Sequence, residues 1–248
     1  MRLTILGCAG SFPGPDSAAS CYLVEAAGVR VLLDLGSGAL SAVQRHVDLD
    51  GVDAILISHL HPDHYLDLCG LYVARKYRPD GPAASVVVYG PADAADQVAA
   101  AYGVPADPGV RDQLDFRTYP DGAFHVGPLR VVATPVDHPV EAFGLRLEHA
   151  GRVLAYSGDT GPCDALVQLA KGADLFLCEA SFHEGRDSAT GMHLTGRQAA
   201  EYAGAAGAGL LVLTHIPAWN DPRRALIEAR AAFDGRIELA RPDESYDL

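Results

Sequence analysis

Short apolar runs, each bounded by glycine, proline or aspartate, recur along the whole chain. Runs at 2–6, 21–26, 29–34, 52–57 and 85–89 read as strands. Those at 129–134, 143–148, 152–157, 175–178, 210–213 and 237–240 continue the series. Between them, helical spacing occurs at 37–46, 65–77, 92–102, 163–171, 196–206 and 222–233. The last of these opens on Asp221-Pro222, an N-cap followed by proline at the first helical position. Thr195 is the expected cap of the helix before it. Strands come as hairpins, early and around 129–157, and also in alternation with helices. That mixture predicts an α/β (α+β) chain with two mixed sheets and helices outside, rather than a plain doubly wound sheet. The segment 103–113, rich in Pro, Gly and Asp, is expected to be a mobile surface loop. No stretch has the composition of a linker, a repeat or a low-complexity tail, so 1–248 is read as one domain.

Composition narrows the function classes. At 49% apolar and 21% charged residues the chain is of ordinary soluble globular make-up, long enough for one sizeable core. No apolar run approaches the roughly 20 residues of a membrane helix. Residues 1–6 start with a positive charge, but Gly10, Pro13, Gly14 and Pro15 interrupt any signal-like core, so they are read as a first strand. Five cysteines without C-x-x-C pairing are expected to be scattered small hydrophobes in a reducing cytoplasm. A net charge of −13 argues against a large nucleic-acid footprint, which needs Lys and Arg to neutralise phosphates. A small anionic substrate remains compatible, because bound divalent cations would reverse the potential inside a pocket.

The chemistry is concentrated in Ser58-His59-Leu60-His61-Pro62-Asp63-His64, directly after the run at 52–57. Three imidazoles and a carboxylate crowd into six positions, a donor set that suits zinc, manganese or iron. His59 and His61, two apart on an extended loop, can point at one ion. Pro62 favours a switch into a helix from which Asp63 and His64 can turn toward a second. Three further strand ends carry candidate ligands: His138 in Asp137-His138-Pro139, Asp159 in Ser157-Gly158-Asp159-Thr160-Gly161, and His215 after Thr214. Taken singly, each is more often a cap or turn residue; together they point to a metallohydrolase.

With these residues in this order, the chain resembles the metallo-β-lactamase superfamily over essentially its full length. The resemblance implies an αββα sandwich with a two-metal site on the sheet edges. On it, His59, His61 and His138 hold one ion and Asp63, His64 and His215 the other. Asp159 bridges them, with a hydroxide between. Asp34, in Leu33-Asp34-Leu35-Gly36-Ser37-Gly38, resembles the family's early aspartate and would orient ligands. The implied cofactors are two divalent ions, zinc ahead of manganese.

Glu179-Ala180-Ser181 and Gly191-Met192-His193-Leu194-Thr195 are similar to the Glu-Ala-Thr and His-Ser-Thr elements of the tRNA 3′-processing endonuclease and phosphodiesterase branch. That similarity makes His193 the catalytic candidate and Glu179 its orienting partner, with Asp63 counted both as ligand and as catalytic residue. Ser181 stands where the pattern has Thr, and Leu194 where it has Ser. The tRNA-gripping arm of that endonuclease would lie between His138 and Asp159, only 21 positions apart here. The expectation is therefore a small phosphodiesterase, cleaving a nucleotide diester such as a 3′,5′-cyclic nucleotide by attack of a metal-bridging hydroxide. A tRNA 3′-processing-type endoribonuclease, or a lactonase or thioesterase of the same fold, are the alternatives. The branch commonly dimerises, so a homodimer is expected, with no membrane partner. Phe12 would either stack on a base or anchor its loop, and Trp219 would either wall the pocket or cover the core. His46, His125, His149 and His183 are read as surface or turn residues.

Overall fold

In the computed structural model, which describes residues 1–187 and 191–248, the apolar runs assemble into two facing sheets. The first half of the chain contributes β1 (Arg2–Gly10), β2 (Ala18–Ala19), β3 (Cys21–Ala26), β4 (Val29–Leu33), β5 (Ala54–Leu56), β6 (Val86–Gly90) and β7 (Leu114–Thr118). The second half contributes β8 (Ala123–Val126), β9 (Leu129–Pro135), β10 (Phe143–His149), β11 (Arg152–Tyr156), β12 (Leu175–Glu179) and β13 (Leu210–Thr214). Three short strands close the chain: β14 (Ile216–Pro217), β15 (Arg236–Leu239) and β16 (Ser245–Asp247). One sheet runs β14-β1-β3-β4-β5-β6-β7, with β2 and β16 also on β1; the other runs β15-β13-β12-β11-β10-β9-β8. Both are mixed, with antiparallel hairpins beside parallel runs, namely β4 through β7 in one and β11, β12, β13 and β15 in the other.

Helices α1 (Ala39–Val43), α2 (Pro62–Tyr65), α3 (Leu68–Lys76) and α4 (Ala94–Tyr102) lie in the first half, and α5 (Ala165–Leu169), α6 (Gly196–Ala206) and α7 (Pro222–Arg230) in the second. Strand alternation builds the layers. In β4, Val31 and Leu33 face the other sheet, while Leu32 joins the cluster under α1, α3 and α4. In β12, Leu175 and Leu177 face inward, while Phe176 and Cys178 join the cluster under α5, α6 and α7. Strands buried on both faces must be apolar at every position, which is why they read as continuous runs. The result is the αββα sandwich that the resemblance implied.

The structure departs from the predicted elements at particular places. The helix expected over 65–77 is divided, because Asp67 turns to the 34–40 loop instead: its Oδ2 accepts the Leu40 amide at 2.8 Å and its own N–H donates to Leu35 O at 3.2 Å. Strands β7 and β8 have polar, half-exposed faces at sheet edges, so they lack the apolar run that marked the others. β1 continues to Gly10 through small residues and a bulge. Both predicted caps are present: Asp221 accepts the Arg223 amide, and Thr195 forms a capping box with Gln198. Segment 103–113 is a loop pinned by the buried Val110. The five cysteines are free. Among the described residues, no helix is long and apolar enough to cross a membrane.

Leu177 is fully buried between the sheets. Leu177→Ala is expected to cost about 2–5 kcal/mol of stability, read as a lowered urea midpoint with an unchanged slope.

Candidate metal centre

Every candidate ligand lies in a segment that follows the C-terminal end of a strand, where side chains leave the sheet and the next backbone can turn inward. His59 and His61 follow β5, and α2 carries Asp63 and His64 with Pro62 as its first residue. His138 follows β9, Asp159 follows β11, and His215 follows β13 with a φ of 55°. The α2 turn is held against the loop after β4 by the Leu35 amide, which donates to His64 O at 2.8 Å. At Gly36 that approach is so close that a Cβ would lie 1.9 Å from the Asp63 carbonyl oxygen. Only glycine fits there.

Folding brings all seven sequence-predicted ligands into two adjoining sets that share one carboxylate. His59, His61, His138 and Asp159 form the first, and Asp63, His64, Asp159 and His215 the second; within each, one donor atom per residue lies within 4.8 Å of every other. In the first, His61 Nδ1 is 3.1 Å from both His59 Nε2 and His138 Nε2, and His59 Nε2 is 3.7 Å from Asp159 Oδ2. In the second, His215 Nε2 is 3.0 Å from Asp63 Oδ2, 3.2 Å from His64 Nε2 and 3.3 Å from Asp159 Oδ2. A tetrahedral ion with bonds of about 2.0–2.1 Å has ligand-to-ligand edges of about 3.4 Å, so the spacing fits.

Outer hydrogen bonds decide which ring nitrogen is bare. His138 Nδ1 donates to Met192 O at 3.0 Å, leaving Nε2 as a lone pair. Ser58 Oγ donates to Asp34 Oδ2 at 2.8 Å and so accepts from His59 Nδ1 at 3.1 Å. Ser181 Oγ donates to His215 O at 2.6 Å and accepts from His215 Nδ1 at 2.9 Å. His64 Nδ1 donates to Asp34 Oδ2 at 2.8 Å. Each of these four rings therefore turns Nε2 into the centre, the orientation that outer partners impose on metal-binding imidazoles. Asp34 is fully buried with a φ of 59°, and it also accepts the Ser58 amide at 2.6 Å and the Tyr156 hydroxyl at 2.7 Å.

The electrostatics favour a cation. Burial, reinforced by the neighbouring His64, drives the His59 imidazole well below its ordinary pKa, and burial lowers His61 and His138 as well. Burial opposes ionisation of Asp63, yet hydrogen bonds from His215 and His64 hold its carboxyl far below the usual range. Asp159 is depressed in the same way, burial being outweighed by His215 and His64. Neutral rings and ionised carboxylates need shed no proton to take a metal. At His64 burial is overcome by Asp159 and Asp34, which push its pKa well up, so this ring, unlike the others, has a proton to give up when an ion binds. Asp159 Oδ1 is buried without a hydrogen-bond partner, a costly state that a bound cation would relieve. The donor set fits two divalent ions.

Beside these sets lies His193, whose Nδ1 is 2.9 Å from Glu179 Oε1 and 3.9 Å from Asp159 Oδ2. Glu179 is fully buried and also accepts the amides of Thr160, Ser181 and Leu194 at 2.8, 3.3 and 3.2 Å. Burial works against charge on His193, but the Glu179 carboxylate, with Asp159 behind it, raises its pKa to about 9. His183 opens a turn, its carbonyl accepting the Arg186 and Asp187 amides at 3.3 and 3.1 Å, but it is buried rather than at the surface, 3.8 Å from Glu228. Sequence reading missed Ser58 and Tyr156 as partners of Asp34, and the hydroxyl of Ser181 as the partner of His215. Nothing marked the first two, although Ser58 opens the histidine run.

A family model described as a β-lactamase superfamily domain matches residues 29–216. The uncharacterized protein Rv1339 of Mycobacterium tuberculosis is 44% identical over 100% of this chain and 92% of its own length. A protein named ribonuclease Z from Mycobacterium bovis is 32% identical, covering 96% of this chain and 95% of that one. The crystal structure of the metallo-β-lactamase fold protein YhfI from Bacillus subtilis superposes with a TM-score of 0.88 at 26% identity, covering 99% of each chain.

Asp34→Asn removes the carboxylate that fixes His64. It is expected to lower metal affinity about 10- to 100-fold, read by competition with a chromogenic chelator.

Proposed function

The chain belongs to the β-lactamase superfamily and is a metallo-hydrolase of that fold, and we propose that it is a two-metal phosphodiesterase acting on a small nucleotide diester such as a 3′,5′-cyclic nucleotide. In this reading His59, His61 and His138 hold one ion, Asp63, His64 and His215 the other, and Asp159 both. Zinc suits so nitrogen-rich a set, with manganese next. When bound, two such ions lower the pKa of a shared water and neutralise charge on phosphoryl oxygens.

The observation that carries the phosphodiester reading is the His193–Glu179 pair. With Nδ1 bonded to Glu179 Oε1 and 3.9 Å from Asp159 Oδ2, His193 keeps Nε2 as its free donor. A pKa of about 9 keeps the ring protonated at neutral pH. Attack of a water-derived oxygen on phosphorus breaks the P–O3′ bond, and the departing 3′ oxygen takes the proton from His193 Nε2. An alkoxide leaving group needs that proton. Glu179 holds the ring in position and stabilises its charge. The relative named ribonuclease Z supports phosphodiester chemistry and favours cleavage of RNA as a second reading. Against a structured RNA stand the net charge of −13 and the chain between His138 and Asp159, which forms only β10 and β11 with their connections.

Metal-loaded protein is expected to convert 3′,5′-cyclic AMP to AMP, resolved by chromatography. Asp159→Ala is expected to abolish turnover and strip both ions, measured by elemental analysis. His193→Ala is expected to lose about 10²- to 10⁴-fold in kcat while retaining its metals. No turnover by fully metal-loaded protein, or full activity in Asp159→Ala with normal metal content, overturns the assignment.

A further inference from the structure

Resting on the phosphodiesterase reading, we propose that Phe12 and Trp219 form a stacking wall for the nucleobase of the substrate at the mouth of the metal centre. Trp219 is the only tryptophan in the chain, and 67% of it is exposed. A ring of that size left in water forgoes a large gain from burial. Its backbone is nonetheless firmly held. The Asn220 amide closes a turn onto Pro217 O at 2.8 Å, with Ala218 and Trp219 at its tip. Asn220 is buried; its Nδ2 donates to Ser181 O at 2.8 Å, and its Oδ1 accepts from Arg186 Nη1 at 2.7 Å. Ser181 is also the residue whose hydroxyl orients His215. Indole and metal-site imidazole thus share one anchor, with three residues of chain between them and four residue-to-residue steps that span at most about 14 Å.

The second ring comes from the other end of the chain. Gly10 packs so tightly on His215 that a Cβ there would lie 2.4 Å from its carbonyl oxygen. Ser11 then takes a left-handed φ of 64°, which places its amide 3.4 Å from His215 Nε2. The Phe12 amide donates back to Gly10 O at 2.8 Å, and the Phe12 ring meets Trp219 at a centroid distance of 4.7 Å and a tilt of 40°. Phe12 therefore packs against the indole, and the loop that carries it touches the metal centre. Among the described residues the centre is lined mainly by imidazoles and carboxylates, with Phe182 set edge-on to His193 at a centroid distance of 5.0 Å. A base tethered through ribose to a phosphate in that centre emerges beside these rings. Stacking on a rigid aromatic suits any base and adds affinity that an acidic surface cannot supply through phosphate contacts.

The zinc-loaded full chain, titrated with AMP, is expected to show saturable quenching of its single indole, and ribose 5-phosphate to show none. In turnover, preference for 3′,5′-cyclic AMP over the base-free cyclic ribose phosphate is expected to shrink about 5- to 150-fold in Trp219→Leu. The change should fall on KM, and Trp219→Phe should recover part of it. Phe12→Leu should move the preference in the same direction. Turnover of cyclic AMP without quenching, or with the preference intact in both leucine variants, overturns the stacking wall and leaves the phosphodiesterase standing. Saturable quenching by AMP without turnover upholds the wall and removes the phosphodiesterase. Dissociation of a dimer by Trp219→Leu, with AMP binding unchanged, would assign the rings to a second copy of this chain and overturn the proposal.

Discussion

The hydrogen-bonded carboxylate of Asp34 is the constraint on which the site depends. It is fully buried, and an unpaired charge there would cost far more than a domain can spare. Four donors satisfy it: the amide and hydroxyl of Ser58, the imidazole of His64 and the phenol of Tyr156. Those donors come from the end of β5, from α2 and from β11 in the opposite sheet. One oxygen pair thus fixes the entry to the histidine run, the tautomer of a ring inside it and the relative position of the two sheets. The left-handed backbone of Asp34 is the local strain that this network holds in place.

From that constraint a division of labour follows along the strands. Inside the sheets every position serves packing, which explains why the interior of β12 and β13 is wholly buried. At the strand ends packing no longer decides the residue, and polar groups accumulate: Asp34, His59, Asp159, Glu179 and His215. Glu179 shows the transition within one strand, as the last residue of β12 with its backbone still paired to Thr214 and its carboxylate already bonded to His193. Short connections keep these groups at fixed distances, so the scaffold needs no long loop to gather them.

Much of this was legible because each signal had a single physical meaning. The histidine run has no structural use that would crowd so many ligands together, and the runs that became β5, β12 and β13 are strands buried along their whole length. Proline at the start of α2 and α7 marked both helix entries. Other features depended on partners remote in sequence. The break at Asp67 arises from its contact with Leu40, and the burial of His183 from α7; neither residue differs locally from a helix or turn position. The edge strands β7 and β8 take their form from one neighbour each, which weakens the pattern they leave in the sequence.

Each candidate ion set draws on both sheets: His59 and His61 meet His138 and Asp159, and Asp63 and His64 meet Asp159 and His215. The chain carries five free cysteines and no disulfide among the described residues, so no covalent cross-link ties its halves beyond the backbone itself. An ion in either set would be a rivet between the first half of the polypeptide and the second, closing a loop of roughly 75 to 155 residues in the manner of a long-range cross-link. Separation of the sheets would then require release of the ions. The reaction centre and the mechanical clasp of the sandwich would be the same handful of atoms.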